Sequence, residues 1–179
     1  ANIQDLCAGM HRLGMRVDEG RRARHEAEQT AEAAKWLRAI HTAQPGFNPR
    51  SPAQMRDLLF DQWGLPPREY TMSGEPSVNA AAVRSFLVNP LLDESQKALL
   101  KAIKFYRRAD KLLGTYLYKL APGAGVVTPE GYVHPDYHSH GTVTGRLSSS
   151  NPNFQNQPKG GKFPVRGCVT SRFDDGIII

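Results

Sequence analysis

Residues 141 to 156, GTVTGRLSSSNPNFQN, carry polar side chains at a spacing that ordinary packing does not require. Arg146 precedes three hydroxyls, Ser148, Ser149 and Ser150. These precede amides at Asn151, Asn153, Gln155 and Asn156, which are interrupted by Pro152 and Phe154. No helix face or half-buried strand needs that composition, whereas a nucleic-acid contact surface does. The minor groove of a duplex offers purine N3 and pyrimidine O2 acceptors that A·T and T·A pairs share and G·C pairs retain. Arg146 carries a fixed fork of donors, and Asn153, Gln155 and Asn156 donate through amides on an extended, proline-stiffened segment. Such a row grips any sequence and notices a badly formed pair. A surface loop whose Ser and Asn residues only make turns has the same composition, so composition alone leaves that reading open.

The elements that must position these residues are legible as periodicity. Ile3 to Met15 places Ile3, Leu6, Cys7, Met10 and Leu13 at helical spacing, and Gly14 leads into a short extended Met15-Arg16-Val17. Asp18 can cap a charged helix running to about His41. Pro45 to Pro49 breaks the chain; Ser51 as cap and Pro52 at the first helical position then open a helix that ends at Gly64. Residues 65–78 form a loop or weak hairpin, and Asn79 caps a helix through Val83, Phe86 and Leu87. Asp93 opens a long helix to about Leu120 with a dense basic set, Lys101, Lys104, Arg107, Arg108 and Lys111, a face that suits phosphate and equally a solvated surface. Beyond Pro122-Gly123-Ala124-Gly125 helical periodicity stops. Residues 132–134, 141–143, 165–170 and 176–179 read as strands. The fold class is therefore α+β, with a helical region over 1–120 and a β segment over 121–179.

A chain of 179 residues with 40% hydrophobic content has enough apolar mass for a core, and its formal charge of +6 favours a polyanionic partner. Cys7 and Cys168 match no metal or redox spacing and read as packing thiols in a reducing cytoplasm. No apolar run is long enough to span a bilayer, so no membrane partner is expected.

The run from Thr144 to Asn156 resembles the TGRLSSSNPNLQN signature of family A DNA polymerases, the DNA polymerase I class, differing only in Phe154 for Leu. The resemblance extends along the chain. Residues 13–18 are similar to the G-x-x-V-D that opens the polymerase thumb, residues 48–60 to its N-x-x-S-P-x-Q-L-x-x-x-L-F helix, and residues 111–116 to K-L-x-S-T-Y. It implies a helical thumb that holds primer-template DNA, followed by a short β-rich N-terminal palm segment, incomplete without the rest of the polymerase. Arg107 and Lys111 fall at basic positions that face the DNA backbone in the family. Thr144, Arg146, Ser148, Asn153, Gln155 and Asn156 complete the expected contact set. His134 matches a histidine ahead of the signature, and the short approach Gly141 to Arg146 is closer to phage enzymes than to the long bacterial form. For Arg166 a structural salt link and a DNA contact both remain open.

Two-metal nucleotidyl transfer needs carboxylates to hold the ions. In the family the first catalytic Asp lies just beyond a strand like Gly176 to Ile179, with the fingers helix and second acidic motif further on. The resemblance thus implies Mg2+ in the assembled enzyme with its ligands outside this chain. Asp174-Asp175 reads as a turn, and His134, His138 and His140 lack partners at ligand spacing, so no catalytic or metal-binding residue is assigned. The expectation is a DNA-binding part of a DNA-directed DNA polymerase acting in replication in a bacterium or phage-infected bacterium. It would be a split subunit or a piece of a longer chain, inactive alone, with a complementary polypeptide carrying palm and fingers. A non-catalytic DNA-binding accessory protein derived from a polymerase thumb, and a helical adaptor with incidental basic charge, are the alternatives.

Overall fold

The computed structural model describes residues 2–140, 146–154 and 165–173. The chain divides into two compact units, Ala1–Glu28 with Leu112–Ile179 and Gln29–Lys111. Helix gives way to strand beyond residue 121, yet compactness groups the first 28 residues with the C-terminal part. The reason lies in the sheet.

In the first unit, helix α1 (Ile3–Leu13) starts at Asn2, whose side chain accepts from the N–H groups of Gln4 and Asp5 while the Asp5 carboxylate accepts from the Asn2 N–H. Such a reciprocal cap is worth about 1 kcal/mol. Strand β1 (Met15–Val17) then pairs antiparallel with β2 (Tyr132–Val133) on one side and with β5 (Val169–Thr170) on the other, so an N-terminal strand is the centre of an otherwise C-terminal sheet. Gly14 makes this possible. Its φ is +64°, and a Cβ there would stand 2.7 Å from the His134 ring and 2.8 Å from the Val133 carbonyl. His134 donates from Nδ1 to the His11 carbonyl (2.8 Å) and His11 from Nδ1 to the Pro135 carbonyl (3.1 Å), lashing α1 to the chain that follows β2.

A second, two-stranded antiparallel sheet joins β3 (Asp136–His138) to β4 (Ser148–Ser150). Sequence periodicity indicates neither strand, because three serines carry no alternation of apolar and polar residues. Pairing here uses the backbone, and Ser149 is buried while the hydroxyls on either side of it are half exposed. The expected strand over 165–170 is corrected as well: Val165–Cys168 is a 3-10 turn, and only Val169 and Thr170 are extended. Three residues per turn put Val165 and Cys168 on one side, and both are buried. The strands expected at 141–143 and 176–179 lie outside the described residues.

Helix α2 (Glu19–Ala43) begins where Asp18 accepts from the Arg21 N–H. The second unit packs the C-terminal part of α2 with α3 (Pro52–Arg56), α4 (Ala80–Leu87) and α5 (Glu94–Leu112) around Ile40, Met55, Leu58, Leu59, Phe86, Leu100 and Ile103, all at most 1% exposed. Each of these helices after α2 starts at the cap its sequence supplies: Ser51 accepts from Gln54, Asn79 from Ala81 and Ala82, and Asp93 from Gln96. The helix expected to run unbroken to Gly64 instead passes from α3 into a π-helical turn, Asp57–Gln62. The hairpin between α3 and α4 is a single bridge, Tyr70 to Pro76.

Candidate nucleic-acid interface

Helix α5 does not continue to Leu120 as an α-helix. At Leu113–Leu117 it opens into a π-helical turn, with the Tyr118 N–H bonded to the Leu113 carbonyl at 2.9 Å. A π turn holds one more residue than an α turn and shifts which side chains face outward. Leu113 and Leu117 point inward and are buried, leaving Thr115 exposed and Tyr116 half exposed. The buried Arg22 fixes this turn from behind. Its guanidinium makes a bidentate pair with Glu19 (2.6 and 2.7 Å), meets Glu26, and donates to the Leu117 carbonyl at 3.3 Å. The hydrogen bonds to Glu19, opposed by desolvation and aided by Glu26, hold the Arg22 pKa above its ordinary value.

Within the same unit, Thr115, Tyr116, Lys119 and Leu120 line a cleft of about 380 Å3 whose other wall is Ser149 to Phe154, the end of β4 and the turn after it. The wall is shaped by three hydrogen bonds. The buried Ser149 hydroxyl accepts from the Phe154 N–H at 3.1 Å. Asn151, in the left-handed region at φ +49°, donates from Nδ2 to the Asp136 carboxylate at 3.0 Å. His138 Nε2 lies 2.9 Å from the Ser150 hydroxyl. The residues lining the cleft carry four hydroxyls, of which that of Ser149 is buried, two amides and the Lys119 ammonium beside apolar Leu120, Pro152 and Phe154, and none of the described residues lining it is acidic. Neutral donors plus one cation suit a polyanion with sugar and base edges.

Of the residues singled out from sequence, the structure brings Asn153 into this cleft and places the exposed Arg146 just ahead of β4. Ser148 is half-buried in β4, paired with His138. Thr144, Gln155 and Asn156 lie outside the described residues. Thr115, Tyr116 and Lys119 join the cleft without having been singled out from sequence; the residues 111–116 motif covers the first two, but their exposure depends on a π turn that periodicity does not reveal.

In the second unit, Lys101, Lys104, Arg108 and Lys111 are exposed, and at 100° per residue they occupy an arc of about 80° on α5. Among the described residues none of the four is paired with a carboxylate. Arg107 behaves differently from its neighbours. It donates from Nε to the Pro49 carbonyl (2.6 Å) and from Nη1 to the Val78 carbonyl (2.8 Å), pinning the loops that lead into α3 and α4. Burial lowers its pKa.

No three His, Cys, Asp or Glu side chains gather as a metal site among the described residues. His134 is bonded to the His11 carbonyl and His138 to Ser150, and His140 Nδ1 lies 3.3 Å from the Ser139 hydroxyl. Cys7 and Cys168 are buried free thiols, and burial pushes Cys168 up to about 11. No helix is long and apolar enough to cross a membrane among the described residues.

The model of DNA polymerase family A matches residues 20–174. The DNA polymerase of Bacillus phage SP01 is 34% identical over 137 residues, 72% of this chain and 14% of that protein. The thermostable DNA polymerase I of Thermus thermophilus is 33% identical over 160 residues, 87% of this chain and 18% of that protein. The POL domain of Pol1 from M. smegmatis, solved in complex with DNA primer-template and dNTP, superposes with a TM-score of 0.76 at 26% identity, covering 92% of this chain and 27% of that one. The chain thus spans less than a fifth of the length of these two curated relatives.

Proposed function

This chain belongs to DNA polymerase family A, and from that premise we propose that its 179 residues are the part of a DNA-directed DNA polymerase that holds primer-template DNA. The observation that carries the reading is the cleft in which the residues 111–116 motif and the signature segment meet, lined by hydroxyls, amides and one lysine with no acidic residue among those described. In this proposal Arg146, Asn153 and Ser148, with Thr144, Gln155 and Asn156, face sugars and minor-groove base edges near the primer end. The second unit is the thumb, whose strip of Lys101, Lys104, Arg108 and Lys111 takes backbone phosphates. Arg107 keeps three N–H donors beyond the two bonded to carbonyls, enough for one phosphate. The short approach to the signature, with the SP01 protein among the relatives, supports the phage branch.

Mg2+, the ion such transfer uses, does not fit the described residues, which offer no convergent acidic set. In this reading its carboxylate ligands lie in further palm sequence and the fingers beside it, on a complementary polypeptide or on the same one. On its own the 179-residue chain binds DNA without copying it. The test is fluorescence anisotropy with a labelled primer-template at several salt concentrations, beside a primer-extension assay. Expected are a logarithm of affinity that falls linearly with log salt, a loss of about 1–3 kcal/mol for Arg146→Ala, and no extension by the isolated chain. Salt-independent binding would favour an adaptor, and extension would overturn the proposed division of labour.

A further inference from the structure

Asp136 is an acidic group set one side chain away from a cleft suited to a polyanion. Its Oδ2 accepts from Asn151 Nδ2 at 3.0 Å, and Asn151 is the first residue of the cleft wall after β4. Its Oδ1 lies 3.5 Å from His11 Nδ1, a ring already donating to the Pro135 carbonyl. A carboxylate at this place repels phosphate at close range and so works against DNA affinity. What it supplies is geometry. Asn151 stands at φ +49°, a backbone state that Asn tolerates better than most residues, its side chain is held by Asp136 from the neighbouring strand β3, and the turn it starts carries Asn153 and Phe154. The far end of the turn is tied to the sheet by a second bond, from the Phe154 N–H to the Ser149 hydroxyl.

We propose that Asp136 is a positioning residue that fixes the Asn151 turn, so that the cleft distinguishes a matched from a mismatched primer end at the expense of raw affinity. This rests on the reading of the cleft as a primer-template site. The two effects of the carboxylate have opposite signs, and two substitutions separate them. Asp136→Ala removes both the charge and the acceptor; Asp136→Asn removes the charge and keeps an acceptor oxygen for Asn151. The Asp136 side chain is 41% exposed, so neither change empties a core site.

The experiment measures Kd of the 179-residue chain for duplexes with matched and mismatched primer ends, with unfolding midpoints alongside. Both variants should bind matched DNA more tightly than the wild type, by about two- to fivefold, with unchanged midpoints. Asp136→Ala should lose most of the matched-over-mismatched preference, a drop of about three- to tenfold, the range of one lost hydrogen bond. Asp136→Asn should keep it. Loss of preference in Asp136→Asn equal to that in Asp136→Ala overturns the proposal, as does full preference in Asp136→Ala or unchanged affinity in both. Asn153→Ala, at a residue that lines the cleft, is the control for the underlying reading. If the wild type shows no preference, or Asn153→Ala leaves it intact, the cleft is not the primer-end site and this proposal falls with it; if Asn153→Ala abolishes a preference that Asp136→Ala retains, only the role of Asp136 falls.

Discussion

Substituting Arg107 weighs its two structural bonds to loop carbonyls against the phosphate contact proposed for its remaining donors. Its two short bonds reach the carbonyls of Pro49 and Val78, and both of those residues are buried. In Arg107→Ala these acceptors lose a charged donor, and their burial limits the water that can replace it. A buried acceptor left unpaired costs about 1–3 kcal/mol. Two of them, discounted because the guanidinium is itself partly exposed, give roughly 2–4 kcal/mol. For a chain of this size that corresponds to a fall in melting midpoint of about 5–15 °C. Arg107→Lys should recover at most half, since one ammonium cannot span both carbonyls as the planar fork does. Arg108→Ala, one residue along on the exposed strip, should leave the midpoint within about 1 °C and weaken DNA binding instead. Thermal unfolding by circular dichroism, run beside salt-dependent anisotropy, reads both quantities. The structural role is refuted if Arg107→Ala melts with the wild type while its salt slope becomes shallower by about one unit, because the guanidinium would then be binding phosphate and not the loops.

Lys111→Ala should weaken duplex binding equally across sequences and reduce the salt slope by about one unit, as titration at three salt concentrations would show; a sequence-selective loss would contradict a phosphate role. Gly14→Ala should destabilise the first unit by about 2–4 kcal/mol, because alanine is strained at φ +64° and its Cβ would displace the His134 ring, and urea denaturation measures this. Cys168 should resist iodoacetamide at about pH 8 in the folded chain and react on unfolding, because its thiol is held up to about 11. The unfolded chain releases that proton near its ordinary value of 9.0, so this group's contribution to stability should be complete below about pH 9 and decline as pH rises toward 11. A flat unfolding midpoint across that window would contradict the burial of Cys168.

Helix starts were legible in the sequence because caps are local: Asp18, Ser51 with Pro52, Asn79 and Asp93 each announce a start with one polar side chain, and each is found capping. The α+β class and the polymerase family were legible for a different reason, an ordered polar segment that no packing rule explains. What escaped was non-local or irregular. Nothing in Met15-Arg16-Val17 indicates that its neighbours are β2 and β5, far along the chain. The strand Ser148–Ser150 is held by backbone pairing to Asp136–His138 and one buried hydroxyl, which leaves no apolar alternation to read. The π turn at Leu113–Leu117 keeps leucines at both ends and so mimics an α-helix, while moving Thr115 and Tyr116 into the cleft. Arg107 looked like its basic neighbours because sequence spacing cannot show which of several arginines meets a carbonyl.

Hydrogen–deuterium exchange of the chain with and without primer-template DNA tests most directly whether this stretch is a DNA-holding surface. Expected is slowed exchange confined to peptides covering 113–120, 146–154 and the exposed face of α5, fading as salt is raised. Protection elsewhere with none at 146–154, or protection indifferent to salt, would contradict it.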